Sequence, residues 1–130
     1  MLNLFFLKTT EYGNLLSMHE MAIVENMMGI IQEEMTRHQV SRLKTVHLVV
    51  GDLTAVVPEA LNFCFEIYNK GTPLEGAKLE MDFIPLKGRC KNCGHEFEVK
   101  DMTFICPECG GKDIDVLSGR ELYIKEIEAE

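Results

Sequence analysis

The 130-residue chain carries 21 acidic against 13 basic side chains, a formal charge of −8, and 46% of its residues are hydrophobic. That apolar content suffices for one modest core and a small satellite lobe. The acidic balance excludes a generic nucleic-acid binder, which needs a basic footprint for phosphate, and suits cations or a basic protein partner instead.

The first seventeen residues, MLNLFFLKTTEYGNLLS, differ in character from the rest of the chain. The apolar patch Leu2 to Leu7 is far shorter than the ~20 residues that span a bilayer, so no membrane role is expected. It also lacks the positive segment and small-residue cleavage pattern of a secretory signal. An extra helix, a membrane-touching tail and upstream sequence read from an early start codon are the three readings left open. With no signal evident, the expected compartment is reducing and cytoplasmic.

Residues 18 to 38 form the first expected helix, because Val24, Met27, Met28, Ile31 and Met35 recur at helical spacing. Ser17 and Glu20 stand at capping-box spacing. Residues 44 to 50 read as a strand with Val46, Leu48 and Val50 on one face and Thr45, His47 and Val49 on the other. Gly51-Asp52 breaks it. Pro58 is placed for the start of a second helix whose apolar face is Leu61, Cys64, Phe65 and Tyr68. Leu79, Met81 and Phe83 alternate with charged residues as a half-buried strand, and Leu122 and Ile124 mark a last one. The acidic end Glu126, Glu128 and Glu130 reads as a solvated tail, and His38 and His47 as surface residues rather than ligands.

Between the last two strands lie Cys90, Cys93, Cys106 and Cys109, two CxxC pairs each followed by glycine, with spacing C-x2-C-x12-C-x2-C. Such knuckles aim two thiolates at one ion, and four together make a tetrahedral site for zinc, with iron as the chemical alternative. All four positions are filled by protein, which marks the site as structural. Phe97, Val99, Phe104 and Ile105 are the few apolar residues available to this lobe, so its fold should depend on the metal. Lys87, Arg89 and Lys91 read as offsets to thiolate charge. His95 is either a turn residue donating near the metal or a ligand. Cys64, in an apolar run, reads as a buried structural thiol rather than a reactive one.

The expectation is therefore an α/β (α+β) fold of order α-β-α-β-β, with two helices and a three-stranded sheet. Its segments are an extension at 1–17, a main domain at 18–86 plus 118–130, and an inserted zinc ribbon at 87–117.

Met18-His19-Glu20 opens the regular part of the chain. Taken alone it is either an ordinary helix start or the beginning of a nitrogen-rich metal site of the kind nickel(II) and copper(II) favour. The string MHE, then VVGDLTAVVPEALNFCFE at residues 49 to 66, then the double CxxC, closely resembles the HypA/HybF family of nickel metallochaperones for hydrogenase maturation. The resemblance covers residues 18 to 130. It implies transient Ni2+ cargo at Met18, His19 and Glu20, through the histidine and nearby backbone nitrogens, and structural Zn2+ at Cys90, Cys93, Cys106 and Cys109. His95 and Asp52 stand beside these sites. It further implies a HypB-type GTPase partner, the hydrogenase large-subunit precursor as client, in some organisms urease accessory proteins, and room for a homodimer. This chain departs from the family pattern in carrying residues before Met18, in having Val57 where many relatives are acidic, and in placing only one histidine, His95, beside a cysteine pair. The alternative is a non-catalytic zinc-ribbon interaction module without nickel. No HExxH or nucleophile constellation supports an enzyme.

Overall fold

Two helices cover one face of a mixed sheet, and the apolar periodicities dictate which faces meet. The computed structural model describes residues 20–130 and the backbone of residues 2–5. In chain order the elements are β1 (Leu2–Phe5), α1 (Glu20–Arg37), β2 (Leu43–Gly51), a 3-10 turn (Asp52–Thr54), α2 (Pro58–Asn69), β3 (Lys78–Ile84), β4 (Lys87–Cys90), β5 (Glu96–Glu98), β6 (Ile114–Ser118) and β7 (Leu122–Ala129). Ser17, Met18 and His19 lie outside the described residues, so the expected capping box does too.

The main sheet has the order β1-β7-β2-β3. β2 runs parallel to β3, with Val46 opposite Leu79 and Val50 opposite Phe83, and antiparallel to β7. Ile23, Val24, Met27, Met28, Ile31 and Met35 of α1 are all buried against Val46, Leu48 and Val50 of β2 and Leu61 and Phe65 of α2. Stacking one apolar helix stripe on an alternating strand face removes both from water, at about 1.5–3 kcal/mol for each large side chain fully buried. Cys64 is half-buried at the rim of this core, less enclosed than its sequence context suggests.

One expectation is extended and one is corrected. The sheet holds the three strands read from the sequence plus a fourth, β1, contributed by the extension, which pairs antiparallel with β7 from Leu2↔Ala129 to Phe5↔Glu126. The acidic end is no tail. Residues through Ala129 continue β7, because a register shift between His47 and Leu48 lets Ile124 and Ile127 both face the core. That shift is a β-bulge, which resets the side-chain alternation. Glu126 and Glu128 then flank His47 on the open face (Nε2–O distances 3.6 and 4.0 Å), with Glu80 on its other nitrogen at 3.2 Å. Glu130 pairs with Arg42 and Lys44. His47 lies among three carboxylates of the neighbouring strands, consistent with its reading as a surface side chain.

A second, three-stranded sheet of order β5-β4-β6 carries the cysteine lobe. Its junction with the main sheet is tight. Gly51 N–H donates to Glu121 O at 2.6 Å, Leu53 N–H to Gly119 O at 2.8 Å, and Ser118 Oγ to Pro85 O at 2.8 Å.

Candidate metal centre

Each CxxC-G segment folds into the same hydrogen-bonded loop. Cys90 N–H donates to His95 O (2.9 Å) and Gly94 N–H to Cys90 O (2.8 Å). In the second loop Cys106 N–H donates to Gly111 O (2.8 Å) and Gly110 N–H to Cys106 O (2.9 Å). The closing glycines have φ of +78° at Gly94 and +74° at Gly110, a left-handed conformation that only glycine adopts without strain. This is the physical reason for glycine after each pair.

The two loops bring the four sulfurs together, all within 4.8 Å of one another. Cys90 Sγ and Cys109 Sγ are 3.5 Å apart, as are Cys93 Sγ and Cys106 Sγ. An ion held tetrahedrally at a metal–sulfur distance of ~2.3 Å requires sulfurs ~3.8 Å apart, so the cage fits such an ion. Cys90 and Cys106 are buried, Cys93 and Cys109 exposed. A side chain at Gly111 would meet Asn92 Nδ2 at 2.9 Å, Cys90 Sγ at 3.2 Å and Cys109 Sγ at 3.3 Å. Gly111 and Asn92 therefore close the cage, a role the sequence signals only through the doubled glycine after the second pair.

Backbone amides tune the thiols of the metal-free cluster. The Cys93 amide holds the Cys90 thiol down at about 7, with help from Asn92 and its neighbouring sulfurs. The Gly111 amide also favours the Cys109 thiolate, but Cys90 and Cys93 outweigh it and push that thiol up to about 12. At Cys93 the His95 amide is likewise outweighed, chiefly by Cys106, and the thiol is raised. The Cys90 thiolate forms readily, and the neighbouring sulfurs hold the Cys93 and Cys109 thiols protonated to higher pH.

The ring of His95 stands outside the four-sulfur group. It stacks on Phe97 with centroids 6.0 Å apart, while its backbone supports the first loop. Arg89 and Lys91 pair with acids of the lobe itself. Arg89 pairs with Glu96 at 2.6 Å, and Lys91 with Asp115 and Asp113 at 3.4 and 3.7 Å. Val99 is buried and Ile105 is exposed.

Of the amino-terminal trio, Met18 and His19 lie outside the described residues. Glu20 reaches across 37 positions to accept the Val57 N–H at 3.3 Å. Val57 is the N-cap of α2 and has no capping side chain of its own; Glu20 accepts the N-cap amide itself, as the glutamate of a capping box does, and adds a negative charge where the helix dipole favours one. Sequence spacing gave no signal for this contact. Asp52 is exposed at the head of the 3-10 turn, whose Thr54 Oγ1 donates back to Gly51 O at 2.8 Å. The structure thus gathers the cysteines into one cage and ties Glu20 to the start of α2. Among the described residues, no second group of three or more metal-ligating side chains converges.

Residues 18–129 match the family model described as "Hydrogenase/urease nickel incorporation, metallochaperone, hypA". The chain is 44% identical over 119 residues to the hydrogenase maturation factor HypA of Lawsonia intracellularis, covering 87% of this chain and all of the relative. Two solved structures share the fold. The solution structure of the Ni metallochaperone HypA from Helicobacter pylori has a TM-score of 0.58 and 20% identity, covering 86% of this chain and 97% of the other. The second, described as the solution structure of HypA protein, has a TM-score of 0.63 and 22% identity, covering 88% and 98%.

Proposed function

The chain belongs to the HypA family of hydrogenase/urease nickel-incorporation metallochaperones, and from that premise we propose that it is a non-catalytic carrier of Ni2+. The observation that carries this reading is the family match beginning at Met18, the first residue of the Met18-His19-Glu20 string. In this reading Ni2+ is cargo, held by the His19 imidazole, backbone nitrogens at Met18 and His19, and a carboxylate contribution from Glu20. Ser17 precedes Met18, so in this chain the Met18 nitrogen is a peptide amide rather than an amine. Amide nitrogens bind only when deprotonated, so affinity falls as pH drops. In this reading the ion passes to a partner by ligand exchange.

The cysteine cage is read as a structural Zn2+ site of Cys90, Cys93, Cys106 and Cys109. Four protein ligands leave no position for a reacting water, which argues against catalysis. Asp52 and His95 act near these sites without binding the ions. The proposed division is an extension at 1–17, a nickel domain at 18–86 plus 118–130, and a zinc lobe at 87–117. The partners proposed are a HypB-type GTPase, an immature hydrogenase large subunit and, in a urease-containing setting, urease accessory proteins. The compartment proposed is the cytoplasm; no described helix is long and apolar enough to cross a membrane.

Nickel titration calorimetry tests the reading on forms starting at Met1 and at Met18, each with His19→Ala. The expected result is one Ni2+ per chain in at least one form, lost with His19→Ala and weaker at pH 6 than at pH 7.5. Absence of His19-dependent nickel in both forms would leave a zinc-stapled interaction module and overturn the carrier reading.

A further inference from the structure

The main sheet ends at β3, and among the described residues no strand pairs with its outer edge. The helix layer also stops short there. Leu79 and Met81 face the core side but are only half-buried, and Phe83 beyond them is 48% exposed. Across from Leu79, α2 presents Phe63 and Ile67, 62% and 48% exposed and one helical turn apart. Between α2 and β3 runs a groove of about 690 Å3. At its floor the buried Asn69 donates Nδ2 to Phe65 O at 3.1 Å, and its Oδ1 has no hydrogen-bond partner among the described residues. A helix and an open strand edge flanking a half-apolar groove is the geometry that accepts an added strand.

Charge on the strand decides what can be added. The open-face residues of β3 include Glu80 and Asp82, beside His47 and Val49 of β2. A second copy of this chain would pair β3 with β3 antiparallel about a two-fold axis. Side chains opposite one another must then share a face, so the two paired residue numbers sum to an even number. Within Lys78–Ile84, every such register that pairs five or more residues sets Glu80 against Glu80, Glu80 against Asp82, or Asp82 against Asp82, and only the first of these also sets Lys78 against Asp82. Acids directly opposite repel, so two of the three registers disfavour a second copy, and a strand with cations opposite both Glu80 and Asp82 is favoured over it in all of them.

We propose that the β3 edge and the adjoining α2 groove form a docking surface for an extended segment of a partner protein in which apolar residues alternate with lysine or arginine. The apolar residues continue the layer over Leu79, Met81 and Phe83 and meet Phe63 and Ile67. The basic residues stand opposite Glu80 and Asp82, and the backbones complete the sheet. This surface shares no residue with the Met18-His19-Glu20 string, so it succeeds or fails independently of the nickel reading.

The test is fluorescence anisotropy on the full chain with labelled ten-residue peptides alternating valine–lysine, valine–glutamate and serine–lysine. Saturable binding is expected for valine–lysine alone. It should weaken at least about fivefold in Asp82→Lys, as one cross-strand attraction becomes a repulsion, and in Phe63→Glu, with unchanged far-ultraviolet circular dichroism and melting. Equal binding of serine–lysine would reduce the effect to net charge, and equal binding of valine–glutamate would remove the charge argument; either result overturns the proposal. So does valine–lysine binding that both variants leave intact, or no binding at all. Self-association of the chain by sedimentation that Phe63→Glu abolishes would assign the edge to a second copy and overturn it as well.

Discussion

Gly51→Ala and Gly29→Ala make the same chemical change at two glycines and are expected to move stability in opposite directions. An added Cβ at Gly51 would lie 2.1 Å from Gly119 O, 2.2 Å from Gly119 C and 2.7 Å from Glu121 N. All three are backbone atoms, and a Cβ needs more than a further ångström from the nearer two. They cannot retreat without stretching the bonds from Gly51 N–H to Glu121 O and from Leu53 N–H to Gly119 O. Two weakened hydrogen bonds at ~1 kcal/mol each and an overpacking cost of ~1–3 kcal/mol give a loss of about 4 kcal/mol. At Gly29, exposed on α1, the same Cβ meets nothing within 4 Å, and helix propensity alone favours alanine by ~1 kcal/mol. Urea unfolding followed by circular dichroism, with metal held in excess, measures both. The expected midpoint falls sharply for Gly51→Ala and rises slightly for Gly29→Ala. A Gly51→Ala midpoint within error of the parent would mean that the junction between the two sheets yields easily, and the clash would then carry no weight.

Metal uptake by the cysteine cage should release more protons at pH 6 than at pH 7.5. Lowering the pH through about 7 re-protonates Cys90, whereas Cys109, pushed up to about 12, carries its proton at both values. The added release from Cys90 is roughly two-thirds of a proton, readable by zinc calorimetry in buffers of different ionisation enthalpy; equal release at both values would contradict it. Replacing Cys106 with serine is expected to abolish tight zinc binding and to speed amide exchange in residues 87–117 while α1 and β2 stay protected, because few apolar residues hold that lobe. Removing the acceptor on Val57 with Glu20→Ala should lower stability by ~1 kcal/mol, and an unchanged denaturation midpoint would dismiss the contact. Met102 sits at φ +56° beside Asp101 at +51° in an exposed turn, so Met102→Gly should raise the melting temperature of the metal-loaded protein by relieving ~1 kcal/mol of strain.

Elements whose signal is local were legible in the amino-acid sequence. The stripe from Val24 to Met35, the alternation through Val46, Leu48 and Val50, and Pro58 at a helix start each report which face is buried, because burial follows chain periodicity. The metal cage was equally legible, since a knuckle needs only Cys-x-x-Cys-Gly and two copies to converge. Features that join residues far apart in the chain emerged only on packing. The bulge opposite His47 and Leu48 reversed the alternation of β7, so Ile127 and Ala129 are core where the sequence suggested a solvated tail. Leu2–Phe5 became a strand only because the β7 edge was there to pair with it. Arg89 and Lys91 found carboxylates on neighbouring strands, and Glu20 found the Val57 amide across 37 residues. Each of these contacts is set by strand register and helix placement, which no local spacing encodes, and so each is visible only once the chain is packed.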